Sequence, residues 1–184
     1  MNVMIISSSN EKIDDYYKSI ARSVSGYLSK CCFDLVFGAS SNSMMGICYE
    51  EFIKQNRNIY AFTTEKYLDD LKNLPNSYFS INETTFDMKK AMFENSDLIV
   101  ALPGGIGTVS EILSFIEENR SNNKDVPIVV YDEDNYYQKL FDMFKDMSDK
   151  NFITEDIEKY ICITHNVDEF RYAIDNYIFK GKVK

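Results

Sequence analysis

The segment Leu98-Ile99-Val100-Ala101-Leu102-Pro103-Gly104-Gly105-Ile106-Gly107-Thr108 joins the most apolar run of the chain to its densest cluster of glycines. The run 98–102 is typical of a buried strand, and the apolar residues that follow Thr108 recur at helical spacing. Three of the seven glycines lie between Gly104 and Gly107. Glycines in such a turn permit positive φ and let main-chain N–H groups approach an anion. The segment therefore predicts a strand, a phosphate-binding turn and a helix.

Strand-like and helix-like patterns alternate along the whole chain. This alternation predicts an α/β fold, a three-layer α/β/α sandwich with helices on both faces of a mostly parallel sheet. No linker interrupts the sequence, so we expect residues 1–184 to form one domain. Besides the helix after the glycines, helices are expected at about 13–30, 44–55, 83–95, 135–148 and 167–179. Asn10 is a candidate N-cap for the first of these helices. The other predicted strands are Val3–Ile6, Phe33–Phe37, Ile59–Phe62, Tyr78–Ile81, Pro127–Tyr131 and Tyr160–Thr164.

Composition narrows the range of partners. The formal net charge of -9 would repel a phosphate backbone, so nucleic acid is not expected as a partner. No apolar stretch approaches the roughly 20 residues of a membrane span, so no membrane partner is expected either. The four cysteines lack paired C-x-x-C spacing, which indicates buried free thiols in a reducing cytoplasm rather than a metal site. The run from Asp132 to Asp134 is interpreted as a solvated turn, and His165 as a residue without a site role.

The glycine turn matches neither a Walker A loop nor the G-x-G-x-x-G fingerprint. Thr108 is expected either to cap the following helix or to donate its hydroxyl to a phosphate. Glu111, three residues later, is placed in the first helical turn, where two interpretations remain open. It completes a capping box with Thr108, or it faces a ligand and contacts sugar hydroxyls or a positive centre.

These residues resemble a known family, the LOG (Lonely Guy) cytokinin riboside 5'-monophosphate phosphoribohydrolases, also described as lysine decarboxylase-like, within a Rossmann-like nucleotide-binding superfamily. The segment from Pro103 to Glu111 matches the family motif P-G-G-x-G-T-x-x-E. Weaker similarity covers 7–9, where the family has Gly-Ser-Ser, and 37–46, where it has a Gly-rich loop followed by Leu-Met-Gly. The resemblance extends over nearly the full chain.

The sequence departs from the family at its Arg-Lys pair, whose arginine is held essential for catalysis. An alignment without a gap puts Met88 at the arginine and Lys89 at the lysine, whereas a one-residue gap puts Lys89 and Lys90 there. A gap within a helix would rotate every side chain, which favours the first alignment. Lysine keeps a positive charge but lacks the planar fork of arginine.

The resemblance implies hydrolysis of the N-glycosidic bond of a nucleoside 5'-monophosphate, of purine or cytokinin type, to free base and ribose 5-phosphate. Glu111 and Lys89 would then be the catalytic residues, no metal or other cofactor would be needed, and the active form would be a homodimer. A non-catalytic nucleotide-binding or sensing protein is the alternative, and a carrier of a phosphorylated cofactor rests on fold analogy alone. The substrate-binding residues would be Ser8, Ser9, Gly38, Ser40, Met88, Lys90, Gly104, Gly105, Ile106, Gly107 and Thr108.

Overall fold

The computed structural model describes residues 1–122, 125–155 and 157–180. Within them one seven-stranded sheet runs through the molecule, and every neighbouring pair of strands is parallel. Its strand order is β4-β3-β2-β1-β5-β6-β7. The strands are β1 (Asn2–Ile6), β2 (Asp34–Gly38), β3 (Ile59–Thr64), β4 (Tyr78–Asn82), β5 (Leu98–Ala101), β6 (Ile128–Tyr131) and β7 (Ile161–Thr164).

Helices cover both faces of this sheet, which confirms the predicted three-layer α/β fold. One apolar cluster joins one face of the sheet to α1, α2 and α6, and a second joins the opposite face to α3, α4 and α5. The α-helices are α1 (Asp15–Lys30), α2 (Ser43–Lys54), α3 (Thr85–Glu94), α4 (Ile106–Asn122), α5 (Gln138–Asp149) and α6 (Val167–Lys180). Short 3-10 segments occupy Glu65–Asn73, Glu133–Asn135 and Ile157–Lys159.

The strand order reverses direction between β1 and β5. The chain builds outward from β1 through β2 and β3 to β4, and then returns to place β5 on the other side of β1. The crossovers leaving β1 and β5 therefore diverge to opposite faces, and a crevice opens beyond their carboxyl ends. All four residues of β5 are fully buried, as its sequence predicted.

Two local expectations were wrong. Asn10 does not cap α1, because its side chain accepts a hydrogen bond from the Lys12 N–H in a separate turn, and Asp14 caps the helix instead. The polar composition of residues 63–77 predicts a segment outside the core, but Thr63 and Thr64 extend β3 and are buried, and Leu74 is fully buried. Long-range packing decides these positions, and local polarity does not reveal it.

The described residues can be compared with two further predictions, the absence of a membrane span and the state of the cysteines. No helix among them combines the length and apolarity needed to cross a membrane. All four cysteines are free thiols, but only Cys48, on α2, is buried. The expectation of buried thiols was wrong for Cys32 and Cys162, which are exposed. Burial raises the pKa of the Cys48 thiol to about 12, so this cysteine stays protonated and packs as a small apolar residue.

Candidate functional site

A cleft of about 740 Å³ lies at the carboxyl ends of β1, β2, β3 and β5, where the strand order reverses. Its floor is formed by the ends of the strands, and its walls by the loops that follow them and by the first turns of α3 and α4. Its volume falls in the range of small-molecule sites. The polar side chains that line it are Ser7, Ser8, Ser9, Asn10, Ser40, Asn42, Thr63, Thr64, Tyr67, Asp70, Thr85, Lys89, Thr108, Ser110 and Glu111.

The glycine loop forms one wall of this cleft, and its glycines have different roles. A Cβ at Gly104 would lie 2.2 Å from Thr108 Oγ1 and 2.6 Å from Thr108 Cβ, so this position requires glycine for close packing. A Cβ at Gly105 or Gly107 would meet no atom within 4 Å, and both residues line the cleft. None of the described glycines has positive φ, so the expected use of that conformation was wrong. Gly104, which lies outside the cleft lining, serves close packing against Thr108 instead.

Thr108 and Glu111 lie deeper in the helix than the sequence suggested. Because α4 begins at Ile106, Thr108 is its third residue and Glu111 its sixth. Thr108 therefore does not cap α4, and Glu111 lies in the second turn, where it cannot complete a capping box. Thr108 is buried against Gly104, whereas Glu111 is half-buried and lines the cleft.

Lys89 faces the same part of the cleft as Glu111. Its Nζ donates a hydrogen bond of 2.7 Å to Ser110 Oγ, the residue before Glu111. Burial raises the pKa of the Glu111 carboxyl to about 7, and the nearby Lys89 ammonium lowers it in part. A carboxyl that changes charge near neutral pH in a cleft is suited to acid–base or electrostatic catalysis. Lys90, by contrast, is exposed and lies outside the cleft lining, whereas Met88 lines it.

Serine residues at the ends of β1 and β2 contribute hydroxyls to the cleft. Ser8 and Ser40 each accept a hydrogen bond from a backbone N–H two residues ahead, at 3.1 and 3.3 Å. Ser7 differs, because its Oγ is buried, lines the cleft and has no hydrogen-bond partner among the described residues. A buried hydroxyl without a partner costs about 1–3 kcal/mol, which a bound polar ligand would offset. Ser9 and Gly38 also line the cleft.

Two further sets of residues line the cleft. Thr63, Tyr67 and Asp70 belong to the loop 63–77, which the family resemblance implied would face the base. Ser7 was not among the predicted binding residues, and its one signal in the sequence was its position directly after a predicted strand.

The acidic run after β6 and the histidine after β7 were the two other regions with candidate polar side chains. Asp132 is fully buried, so the solvated turn expected there was wrong at this residue. Its Oδ1 accepts a hydrogen bond of 2.6 Å from the Tyr137 N–H, and burial raises the pKa of its carboxyl. His165 is exposed and lies outside the cleft lining. Among the described residues no cluster of His, Cys, Asp and Glu could hold a metal ion.

A parallel α/β sheet with a loop cleft at the reversal of strand order defines the Rossmann-like class of ligand-binding proteins. The sequence profile of the family described as "Possible lysine decarboxylase" matches residues 42–174, and the chain belongs to this family, which includes the LOG proteins. Similarity to a cytokinin riboside 5'-monophosphate phosphoribohydrolase of Arabidopsis thaliana is 23% identity over 175 residues, covering 94% of this chain and 80% of the relative.

Solved structures share the fold. The molybdenum cofactor binding protein of Rippkaea orientalis matches with a TM-score of 0.70 at 13% identity, covering 96% of this chain and 97% of that one. A Moco carrier protein of Chlamydomonas reinhardtii matches with a TM-score of 0.68 at 11% identity, covering 97% of both chains. At such low identity these likenesses establish the fold alone.

Proposed function

We propose that this protein hydrolyses the N-glycosidic bond of a nucleoside 5'-monophosphate, of purine or cytokinin type, to the free base and ribose 5-phosphate. The observation that carries the proposal is the position of Glu111, a cleft-lining carboxyl beside the glycine loop and Lys89. The relatives named as phosphoribohydrolases act on this class of substrate, which adds support. No metal or other cofactor enters the proposed reaction.

The 5'-phosphate would bind at the glycine loop. Main-chain N–H groups of Gly105, Ile106 and Gly107 lie at the start of α4, where the helix dipole favours an anion. The hydroxyls of Ser7, Ser8, Ser9 and Ser40 would surround the same phosphate or its ribose. Ser7 supports this placement most strongly, because its buried hydroxyl has no partner among the described residues.

Glu111 would act on the sugar. Departure of the base breaks the C1'–N bond, the electron pair leaves with the nitrogen, and positive charge develops on the ribose. An ionised carboxylate beside C1' stabilises that charge and accepts a proton from the attacking water. The water oxygen bonds to C1', giving ribose 5-phosphate with one water hydrogen on the new hydroxyl. The other hydrogen, taken up by Glu111 as a proton, passes to the departing base nitrogen and regenerates the carboxylate.

Met88 supports a second candidate function, that of a non-catalytic nucleotide-binding or sensing protein. The thioether of Met88 lines the cleft at the position aligned with the family's arginine, and it supplies no charge there. Such a protein would bind the nucleotide through the glycine loop and leave the glycosidic bond intact. An assay for free base after incubation with the nucleotide distinguishes the two functions.

Lys89 and Lys90 offer a matched pair of variants. Lys89→Ala is expected to weaken AMP binding about tenfold or more, because it removes the ammonium that lines the cleft. Lys90→Ala is expected to leave the dissociation constant nearly unchanged, since Lys90 is exposed and outside the lining. Isothermal titration of both variants provides the measurement. Equal losses in the two variants would contradict the assignment of Lys89 to the ligand.

We also propose that the protein forms a homodimer with its cleft near the subunit interface. Helices α3 and α4 contact each other and expose Phe86, Ile106 and Leu113, of which Ile106 also lines the cleft. Exposed apolar side chains of this size are typical of an interaction surface. Light scattering is expected to give twice the 21.4 kDa monomer mass, and Ile106→Glu is expected to shift it to the monomer. A monomer mass in the native protein would exclude the dimer.

A further inference from the structure

Two consecutive tyrosines reach from the loop after β6 to the glycine loop after β5. Tyr136 OH donates a hydrogen bond of 2.9 Å to the Gly104 carbonyl, and Tyr137 OH donates one of 2.8 Å to the Leu102 carbonyl. The two residues thus hold both ends of the turn from Leu102 to Gly104. The two aromatic side chains by themselves predict packing against the sheet. Tyr137 is buried in this way, whereas Tyr136 is exposed, and their contacts with the loop carbonyls have no local signal in the sequence.

These tyrosines are themselves fixed by their surroundings. The backbone N–H of Tyr137 donates to the buried Asp132 carboxylate at 2.6 Å, which anchors the segment to the end of β6. The Tyr136 ring packs edge-on against Tyr137 and Tyr17, with ring centroids 4.9 and 5.7 Å away. Although Tyr136 is 44% exposed, these two ring contacts support its hydroxyl at Gly104.

The Gly104 carbonyl matters because it shares a peptide plane with the Gly105 N–H. The plane is rigid and trans, so the N–H points opposite to the carbonyl. Because the carbonyl is directed at Tyr136, the Gly105 N–H points away from Tyr136, and Gly105 lines the cleft whereas Tyr136 does not. A peptide plane between two glycines has little steric preference for either of its two orientations and flips readily. A hydrogen bond from another residue is therefore needed to fix its orientation.

We propose that Tyr136 is a positioning residue for the phosphate of the ligand, and that its hydroxyl orients the Gly105 N–H toward the anion. Tyr137 supports the same turn through Leu102, and Asp132 holds the tyrosine pair in place. The benefit to a nucleotide rests on the proposed function. The orientation of the loop amide is a property of the protein alone and can be measured without a ligand.

The test compares Tyr136→Phe with Tyr177→Phe. Tyr177 OH also donates to a backbone carbonyl, that of Asp97, but just before β5 begins, at the opposite end of that strand. Tyr136→Phe is expected to weaken AMP binding about threefold to tenfold and to leave adenosine binding unchanged, because only AMP carries the phosphate. Tyr177→Phe is expected to change neither affinity. An equal loss for AMP and adenosine in Tyr136→Phe would overturn the positioning role.

Hydrogen exchange of the ligand-free protein separates this inference from the proposed function. In Tyr136→Phe, amides of the segment 103–108 are expected to exchange faster than in the native protein and in Tyr177→Phe. Unchanged exchange in this segment would overturn the inference even if AMP binds. If the native protein binds no AMP, the proposed function fails. Faster exchange in Tyr136→Phe would even then establish that the Tyr136 hydroxyl stabilises the conformation of the loop.

Discussion

Glu111→Gln is expected to lower kcat/KM for AMP hydrolysis by about 10²–10³, the range found when one preorganised electrostatic group is removed from an active site. The dissociation constant of AMP should change little, because the proposed phosphate site is the glycine loop and the amide preserves the shape of Glu111. Steady-state kinetics and calorimetric titration of the same preparation measure the two effects separately.

A pH dependence of the proposed hydrolysis by the native protein follows from the same residue. Burial raises the pKa of Glu111 to about 7, and the proposed mechanism uses the ionised form. The ionised fraction falls as pH falls, so kcat/KM at pH 6 is expected to be about one tenth of its plateau above pH 8. Glu111→Gln should lose this acidic limb, since the amide does not titrate.

Glu117→Gln is the control for both measurements. Glu117 lies on the same helix and pairs with Arg120, but it is exposed and lies outside the cleft lining. Its substitution should leave both the rate and the pH profile unchanged. A Glu111→Gln variant as active as Glu117→Gln would exclude Glu111 from the chemistry.

Gly104→Ala is expected to abolish measurable AMP binding and to destabilise the fold by about 1–3 kcal/mol, the usual cost of overpacking. Its Cβ would lie within 3 Å of the Oγ1 and Cβ atoms of Thr108, so rotating that side chain does not relieve the clash. The start of α4 must then shift, and the loop loses the arrangement that holds a phosphate. Urea unfolding and calorimetric titration measure the two effects.

Gly105→Ala separates the effect on ligand binding from the effect on stability. A Cβ at Gly105 meets no atom within 4 Å, so the free energy of unfolding should change by less than about 0.5 kcal/mol. The added methyl would nevertheless stand at the cleft wall where the phosphate approaches, and AMP binding should weaken. If Gly105→Ala binds AMP as tightly as the native protein, the phosphate does not bind at this loop.

Local sequence patterns predicted most of the fold. The clearest case is β5, which is buried on both faces and therefore appears in the sequence as a continuous apolar run. The glycine loop could be located for the same reason, since it follows that strand directly. The start of α4 could not be located in this way, because the helix begins at Ile106, three residues before the start that Thr108 as a cap implied. Thr108 therefore lies inside the helix, and Glu111 lies in its second turn rather than its first.

Other features of the site depend on contacts between distant parts of the chain. Ser7 is buried without a partner among the described residues, an isolation that the serine run 7–9 does not reveal. Tyr136 binds a carbonyl 32 residues away in sequence, and the buried Asp132 donates its backbone N–H to the Thr164 carbonyl at the end of β7. Such contacts follow from the order of strands in the sheet, which the alternation of elements does not specify.

Incubation of the pure protein with AMP, followed by chromatography of the products, tests the central proposal most directly. We expect free adenine and ribose 5-phosphate in equal amounts, formed at a rate that Glu111→Gln lowers by about 10²–10³. Modified adenine nucleotides assayed in parallel extend the test to substrates of cytokinin type. Recovery of every nucleotide intact from protein that binds it would contradict hydrolysis and assign the cleft to nucleotide binding alone.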